Sequence, residues 1–90
     1  MEKAKKRIRT YIIAADILVD KKIIRGYYTV DDKWVFEESY PEIEFFLSVA
    51  AAQDRLAPVL TKINEGFRYN KISKIYILND GGFIIRQYNL

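Results

Sequence analysis

The chain has no cysteine and no histidine, and it contains little proline, glycine and methionine. Without cysteine it can form no disulfide framework, thiolate zinc site or cysteine nucleophile. Histidine is the usual general base near neutral pH and the commonest metal ligand, so its absence removes the chemistry that many enzymes use. The composition therefore predicts a protein that is not an enzyme and that binds no cofactor and no metal.

The chain also lacks an apolar run long enough to cross a membrane. The segment YIIAADILV is short and is interrupted by Asp16, whereas a spanning helix needs about 20 apolar residues. It also lacks the cleavage context of a signal peptide. We expect a cytoplasmic protein without a transmembrane segment, and the abundance of isoleucine, lysine, glutamate and tyrosine would suit a thermophile.

Ninety residues, half of them apolar, suffice for one modest core, and we expect a single domain over residues 1–90. So short a chain buries a smaller share of its surface than a large domain does, so a partner surface would add stability. The net charge of +3 is unevenly spread: residues 1–9 and 68–74 are basic, and residues 31–54 hold most of the acids. These acids lack the spacing of an EF-hand and are interpreted as a solvated face.

The spacing of apolar residues predicts two helices. Over Lys3–Val19 they recur at three- and four-residue steps, which indicates one face of a helix. Ser39 followed by Glu42 has the spacing of a capping box and predicts that a second helix begins there. We expect that helix to kink or break at Pro58 and to end at Gly66.

Two hairpins are predicted between and after the helices. Ile23–Val30 and Trp34–Glu37 flank DDK, and Ile72–Leu78 and Phe83–Tyr88 flank NDGG. An Asp-Gly pair between apolar runs is a strong hairpin signal, because a two-residue type I′ turn needs positive φ at both positions. NDGG is therefore interpreted as a turn and not as a phosphate loop, which would need a following lysine and helix.

The predicted element order is α-β-β-α-β-β, and the predicted fold class is α+β. We expect a four-stranded, mostly antiparallel sheet with two helices packed on it. The edges of such a sheet would be open, and an open edge is a natural dimer seam, so we expect a homodimer. The expected interface residues are aromatic or small side chains of the first hairpin and the second helix: Tyr28, Trp34, Phe46, Ala50 and Ala51.

The basic residues at the two ends of the chain support an alternative. Cations interleaved with tyrosines are typical of proteins that bind single-stranded nucleic acid, where cations contact the backbone and rings stack on bases. The candidate residues are Lys3, Lys5, Lys6, Arg7, Arg9, Arg68, Tyr69, Lys71 and Lys74. The alternative is a small nucleic-acid-binding protein of viral or mobile-element origin, although a solvated charge run beside core tyrosines would account for the same residues.

From about Ile23 onward the chain resembles the roadblock/LC7 family. The corresponding segments are GYYTVDDKWVFEES, PEIEFFLSVAAAQDRLAPVL and ISKIYILNDGGFIIRQY, and the helix predicted at Lys3–Val19 precedes them as in the family. Lys33 replaces a glycine common in the first turn, and the family's last strand and C-terminal helix have no counterpart. The resemblance implies a non-catalytic homodimer with a continuous sheet, which serves as a platform for small Ras-like GTPases or motor-type complexes.

A second resemblance is to half of a LAGLIDADG homing endonuclease. The segment IIAADILVDKK is similar to that signature, with Asp20 at the place of the metal-binding acid. Ala15 and Lys21 stand where the signature has glycines. The leading hypothesis from the sequence is the non-catalytic homodimeric interaction module, followed by the nucleic-acid-binding protein and then by this enzyme.

Overall fold

The structure is a computed structural model that describes residues 9–64 and 71–90, with only the backbone at residues 62–64. Its elements are β1 (Tyr11–Val19), β2 (Lys22–Tyr28), β3 (Trp34–Val35), α1 (Val49–Asn64), β4 (Ile72–Asn79) and β5 (Ile84–Asn89). The strands form one antiparallel sheet in the order β3-β2-β1-β4-β5. The described part of the chain is a small α+β domain with one helix and five strands.

The predicted order α-β-β-α-β-β, with four strands and two helices, is therefore wrong. The part of Lys3–Val19 that the structure describes is mostly strand β1, not a helix. Ile13, Ala14 and Ala15 in its centre are completely buried, because both faces of the strand are covered. A strand buried on both faces loses its polar alternation, so its apolar run also fits the spacing of a helix.

The helix begins later than predicted. Ser48 Oγ accepts a hydrogen bond of 3.0 Å from the backbone N–H of Ala51, so Ser48 and not Ser39 is the N-cap. The helix then continues through Pro58 to Asn64, and the predicted break does not occur. The predicted end at Gly66 lies outside the described residues.

Helix α1 covers one face of the sheet and encloses the main core. Helix residues Ala52, Leu56 and Val59 are buried there. They pack with apolar side chains of the strands and of the segment that precedes the helix: Ile13, Ala15, Tyr28, Phe46, Ile72, Ile75 and Ile77. No helix within the described ranges is long and apolar enough to cross a membrane.

The opposite face of the sheet, here called the open face, carries no helix in the described part of the chain. It holds a smaller cluster of buried side chains, formed by Ala14, Tyr76 and Leu78 with Ile12 and Tyr27 packed against them. Ala14 pairs with Tyr27 on one side and with Tyr76 on the other. Its small side chain therefore lies between two tyrosines, which accounts for its complete burial.

Both predicted hairpins are confirmed, but the turn at NDGG is not of the predicted type. The N–H of Gly82 donates to the carbonyl of Asn79, and the N–H of Asn79 donates to the carbonyl of Phe83, each at 3.0 Å. Of the glycines in the described part, only Gly82 has a positive φ, at 83°. This is a three-residue loop whose last residue is left-handed, not a two-residue type I′ turn.

The two-residue turn with positive φ at both positions is instead the one between β1 and β2. Asp20 has φ 50° and Lys21 has φ 68°, and the flanking residues Val19 and Lys22 are paired. Neither residue is glycine, so the left-handed backbone of this turn costs free energy, and the sequence carries no glycine signal for it.

We predict opposite effects from changing the two turns. The double substitution Asp20→Asn and Lys21→Gly is expected to raise the free energy of unfolding by about 1 kcal/mol, because Asn-Gly suits left-handed backbone. Gly82→Ala is expected to lower it by about 1 kcal/mol, and it is a clean control because a Cβ at Gly82 meets no atom within 4 Å. Urea unfolding measures both, and a shift of the same sign in both variants would contradict the turn assignment.

Candidate interaction surface

A polar cluster lies at the centre of the open face. Asp16 of β1 lies opposite Arg25 of β2 and opposite Lys74 of β4, and opposite residues of antiparallel strands point to the same face. The hydroxyl of Tyr76 donates to Asp16 Oδ2 at 2.6 Å. Asp16 therefore has a cation on each neighbouring strand and a tyrosine hydroxyl bound to its carboxylate.

Arg25 is held by stacking more than by hydrogen bonding. Its Cζ lies 4.7 Å from the centre of the Tyr76 ring, within the range of a cation–π contact. Its Nε lies 3.5 Å from Asp16 Oδ1, close enough for an ion pair. That Nε is nevertheless buried and makes no hydrogen bond within the described part of the chain. The guanidinium is thus positioned by the ring and keeps unused donor capacity.

The phenol of Tyr76 is held in its protonated form. Its hydrogen bond to Asp16 is the largest cause that raises the pKa of Tyr76 above its ordinary value of 10.0, and burial adds to it. A tyrosine with a raised pKa is a poorer proton donor near neutral pH. The geometry fits a structural clamp better than an acid–base pair.

Apolar side chains surround this cluster and remain exposed. Leu18 and Ile23 are a cross-strand pair beside Asp16 and Arg25, and their exposed fractions are 40% and 60%. Phe45 lies beside Ile12 and Leu78 at the other end of the face, and it is 61% exposed. Exposed apolar groups around arginine and tyrosine are typical of protein-binding surfaces.

The edge of the sheet at β5 is a second exposed feature. β5 pairs only with β4, and its outer side has no strand partner within the described ranges. The opposite edge is β3, which is only two residues long. A six-residue edge without proline or lysine can pair with another strand.

A groove of about 590 Å³ lies between the end of β1 and the β2–β3 turn. Its apolar lining includes Ile17, Trp34, Phe36 and Ile72, with charged residues such as Lys71 among the others. Trp34 Nε1 is buried and donates to no described group. The groove thus combines apolar and charged residues with a buried indole N–H that has no partner among the described residues.

The residues predicted at a dimer interface lie in different environments. Tyr28 and Phe46 are buried in the main core, and Trp34 is half-buried with its ring 5.1 Å from that of Tyr28. Ala50 and Ala51 are exposed on α1. In this fold the set therefore does not form one exposed patch, and Tyr28 and Phe46 already have packing partners in their own chain.

The residues predicted to contact nucleic acid fall largely outside the described residues: Lys3, Lys5, Lys6, Arg7, Arg68 and Tyr69. Of the others, Arg9 lies beside the β4–β5 turn, and Lys71 lies beside Leu18 near the end of β1. At 3.3 Å per residue these positions are separated by roughly 20 Å or more along the sheet. Arg9 and Lys71 are therefore not neighbours, and Lys74 lies on the open face beside Asp16.

Two of the acids of residues 31–54 have side-chain partners within the chain. Glu44 Oε1 accepts from Arg55 Nε at 3.2 Å, and the hydroxyl of Tyr28 donates to Asp32. Within residues 9–61 and 71–90, no group of three or more acids has the geometry to hold a metal ion. The two acids whose partners are known thus serve contacts inside the chain.

The sequence analysis missed the cluster of Asp16, Arg25 and Tyr76. Its signal is a charged residue inside each of two apolar runs, YIIAADILV and KIIRGYY. That signal can be interpreted only when both runs are known to be adjacent strands, because the register brings Asp16 opposite Arg25.

Comparison of the chain with protein-family models, with curated proteins and with solved structures finds no match. The function is therefore inferred from the surfaces described above.

We predict that Tyr76→Phe will lower the free energy of unfolding by about 1 kcal/mol at neutral pH, because Asp16 loses a hydrogen bond. A raised tyrosine pKa stabilises the fold below pH 10.0, and this contribution is lost as the pH rises through the folded-state pKa. Tyr76→Phe should therefore lose less stability than the wild type as the pH rises above about 10.

Urea unfolding at several pH values measures this difference. Tyr40→Phe is the matched control, because Tyr40 is exposed. Equal alkaline destabilisation of Tyr76→Phe and the wild type would contradict the role given to the Tyr76 hydroxyl.

Proposed function

We propose that the chain is a non-catalytic interaction module that acts as a homodimer and binds a second protein with the open face of its sheet. The observation that carries this proposal is the exposed apolar pair Leu18 and Ile23 beside the Asp16–Arg25 ion pair. One face of the sheet is already covered by α1, so these side chains are not needed for the core.

The composition of the open face supports a protein partner. Hot spots of protein interfaces are rich in tyrosine and arginine and are surrounded by apolar contacts that exclude water. Arg25 stacked on Tyr76, with Leu18 and Ile23 beside it, matches that composition. The Arg25 side chain is 39% exposed, so its guanidinium can donate to an acceptor on the partner.

The non-catalytic part of the proposal is supported by the pairing of the polar groups. The carboxylate of Asp16 is engaged by Tyr76 and Arg25, and the raised pKa of Tyr76 keeps its proton in place. A catalytic acid or base is instead expected to have a pKa near the working pH.

The other expectations remain predictions. The prediction that the partner is a small Ras-like GTPase depends on the resemblance to roadblock/LC7 proteins. The proposal of a protein partner depends on the open face and not on that resemblance. A cytoplasmic location and nucleic-acid binding are likewise predictions, and the separation of Arg9 from Lys71 gives nucleic-acid binding no added support.

We predict that light scattering at micromolar concentration will give twice the chain mass of 10.6 kDa. β5 is a six-residue edge strand without an outer partner among the described residues, and a small domain gains stability when a second copy covers such an edge. A monomer over the whole micromolar range would contradict the homodimer.

The matched control for this measurement is the double substitution Leu18→Ser and Ile23→Ser. It is expected to leave the mass unchanged, because the open face is assigned to the second protein and not to self-association. Loss of the dimer in this variant would indicate that the dimer interface lies on the open face.

A further inference from the structure

We propose that two copies of the chain pair through β5, antiparallel, with Gln87 of one copy opposite Asn89 of the other. This inference rests on the proposed homodimer and names its interface. The result would be a continuous sheet of ten described strands, since the described part of each copy contributes five.

The direction of the backbone groups in β5 follows from its pairing with β4. The N–H of Leu90 donates to the carbonyl of Ser73 at 2.9 Å. Hydrogen-bonded and non-hydrogen-bonded pairs alternate along antiparallel strands. Tyr88 and Arg86 therefore turn their backbone groups toward β4, and Gln87 and Asn89 turn theirs toward the free edge.

The irregularity in β5 limits the register. Ile77 pairs with Arg86, but the next residue, Leu78, pairs with Ile84, so Ile85 is an extra residue at a bulge. The regular part of the edge runs from Arg86 to Leu90. When Gln87 lies opposite Asn89 of the second copy, Arg86 lies opposite Leu90 and Tyr88 lies opposite Tyr88. The whole regular part of one strand is then paired with that of the other.

The competing register places Gln87 opposite Gln87 of the second copy. Both registers use the outward backbone groups of Gln87, but the competing one aligns only Arg86–Tyr88 before the bulge of the other strand is reached. It would therefore form fewer regular pairs. The register with more uninterrupted backbone pairs is favoured, because each backbone group that is covered but left unpaired costs free energy.

The side chains of β5 agree with the proposed register. In this register Tyr88 lies next to the two-fold axis, opposite Tyr88 of the second copy and on the helix side of the sheet. Within its own chain, its hydroxyl accepts a hydrogen bond of 3.0 Å from Gln53 Nε2. Aromatic pairs across strands are favourable. Arg86 is the only charged residue of β5, and its opposite residue is Leu90, so no like charges meet.

A two-fold axis between antiparallel strands is perpendicular to the sheet. Both α1 helices then lie on one side of the ten-stranded sheet, and both open faces lie on the other. The dimer would thus present two copies of the Asp16–Arg25–Tyr76 cluster to the same partner surface, which permits avidity without any new contact.

Paired charges at positions 87 and 89 test this register. Both side chains are exposed, and the hydrogen bond recorded for them joins Gln87 Nε2 to Asn89 Oδ1 at 2.9 Å. The variant with Gln87→Lys and Asn89→Lys places like charges opposite each other, so its dimer dissociation constant should rise roughly tenfold or more. The variant with Gln87→Lys and Asn89→Glu places opposite charges there and should dimerise at least as well as the wild type.

Sedimentation equilibrium measures both dissociation constants, and a wild-type circular dichroism spectrum with a cooperative urea transition shows that each variant folds. An equimolar mixture of the double-lysine variant with a double-glutamate variant (Gln87→Glu and Asn89→Glu) should recover the dimer. A double-lysine variant that dimerises like the wild type would overturn pairing through β5 while leaving the homodimer standing. Weak dimers in both the double-lysine and the Lys–Glu variants would overturn the register, and a monomeric wild type would overturn the homodimer itself.

Discussion

The fold depends on β1, a strand that is paired along both edges and whose centre is buried on both faces. β2 and β4 pair with it on either side, the α1 layer covers Ile13 and Ala15, and the smaller tyrosine cluster covers Ala14. The two alanines leave room for covering groups on opposite faces. The uncovered features of the described chain lie on the open face, which includes Leu18 at the end of β1, and at the β5 edge.

The same burial explains what the sequence could and could not predict. Both hairpins were predictable, because turn residues separate β-branched and aromatic runs at DDK and NDGG. β1 was not, because residues buried on both faces show no alternation. The helix start was ambiguous for a different reason: Ser39 and Ser48 are both acceptable N-caps, and tertiary packing selects Ser48.

The candidate surfaces were harder to predict than the elements. Asp16, Arg25 and Tyr76 come from three strands, and only the register of those strands brings them together. The exposed edge likewise depends on strand order, which local patterns do not encode. Tyr28 and Phe46 were predicted at an interface because aromatic side chains suit interfaces and cores equally, and both are buried in their own chain's core.

Residue-resolved amide hydrogen exchange, measured above and below the dimer dissociation constant, tests the account most directly. It predicts slow exchange for the β1 amides at every concentration, because β1 is paired on both sides. The amides of Gln87 and Asn89 should be protected only at high concentration, whereas the amide of Tyr88, which faces β4, should change little. Fast exchange of the Gln87 and Asn89 amides in a sample shown to be dimeric would contradict the β5 interface, and fast exchange in β1 would contradict the fold.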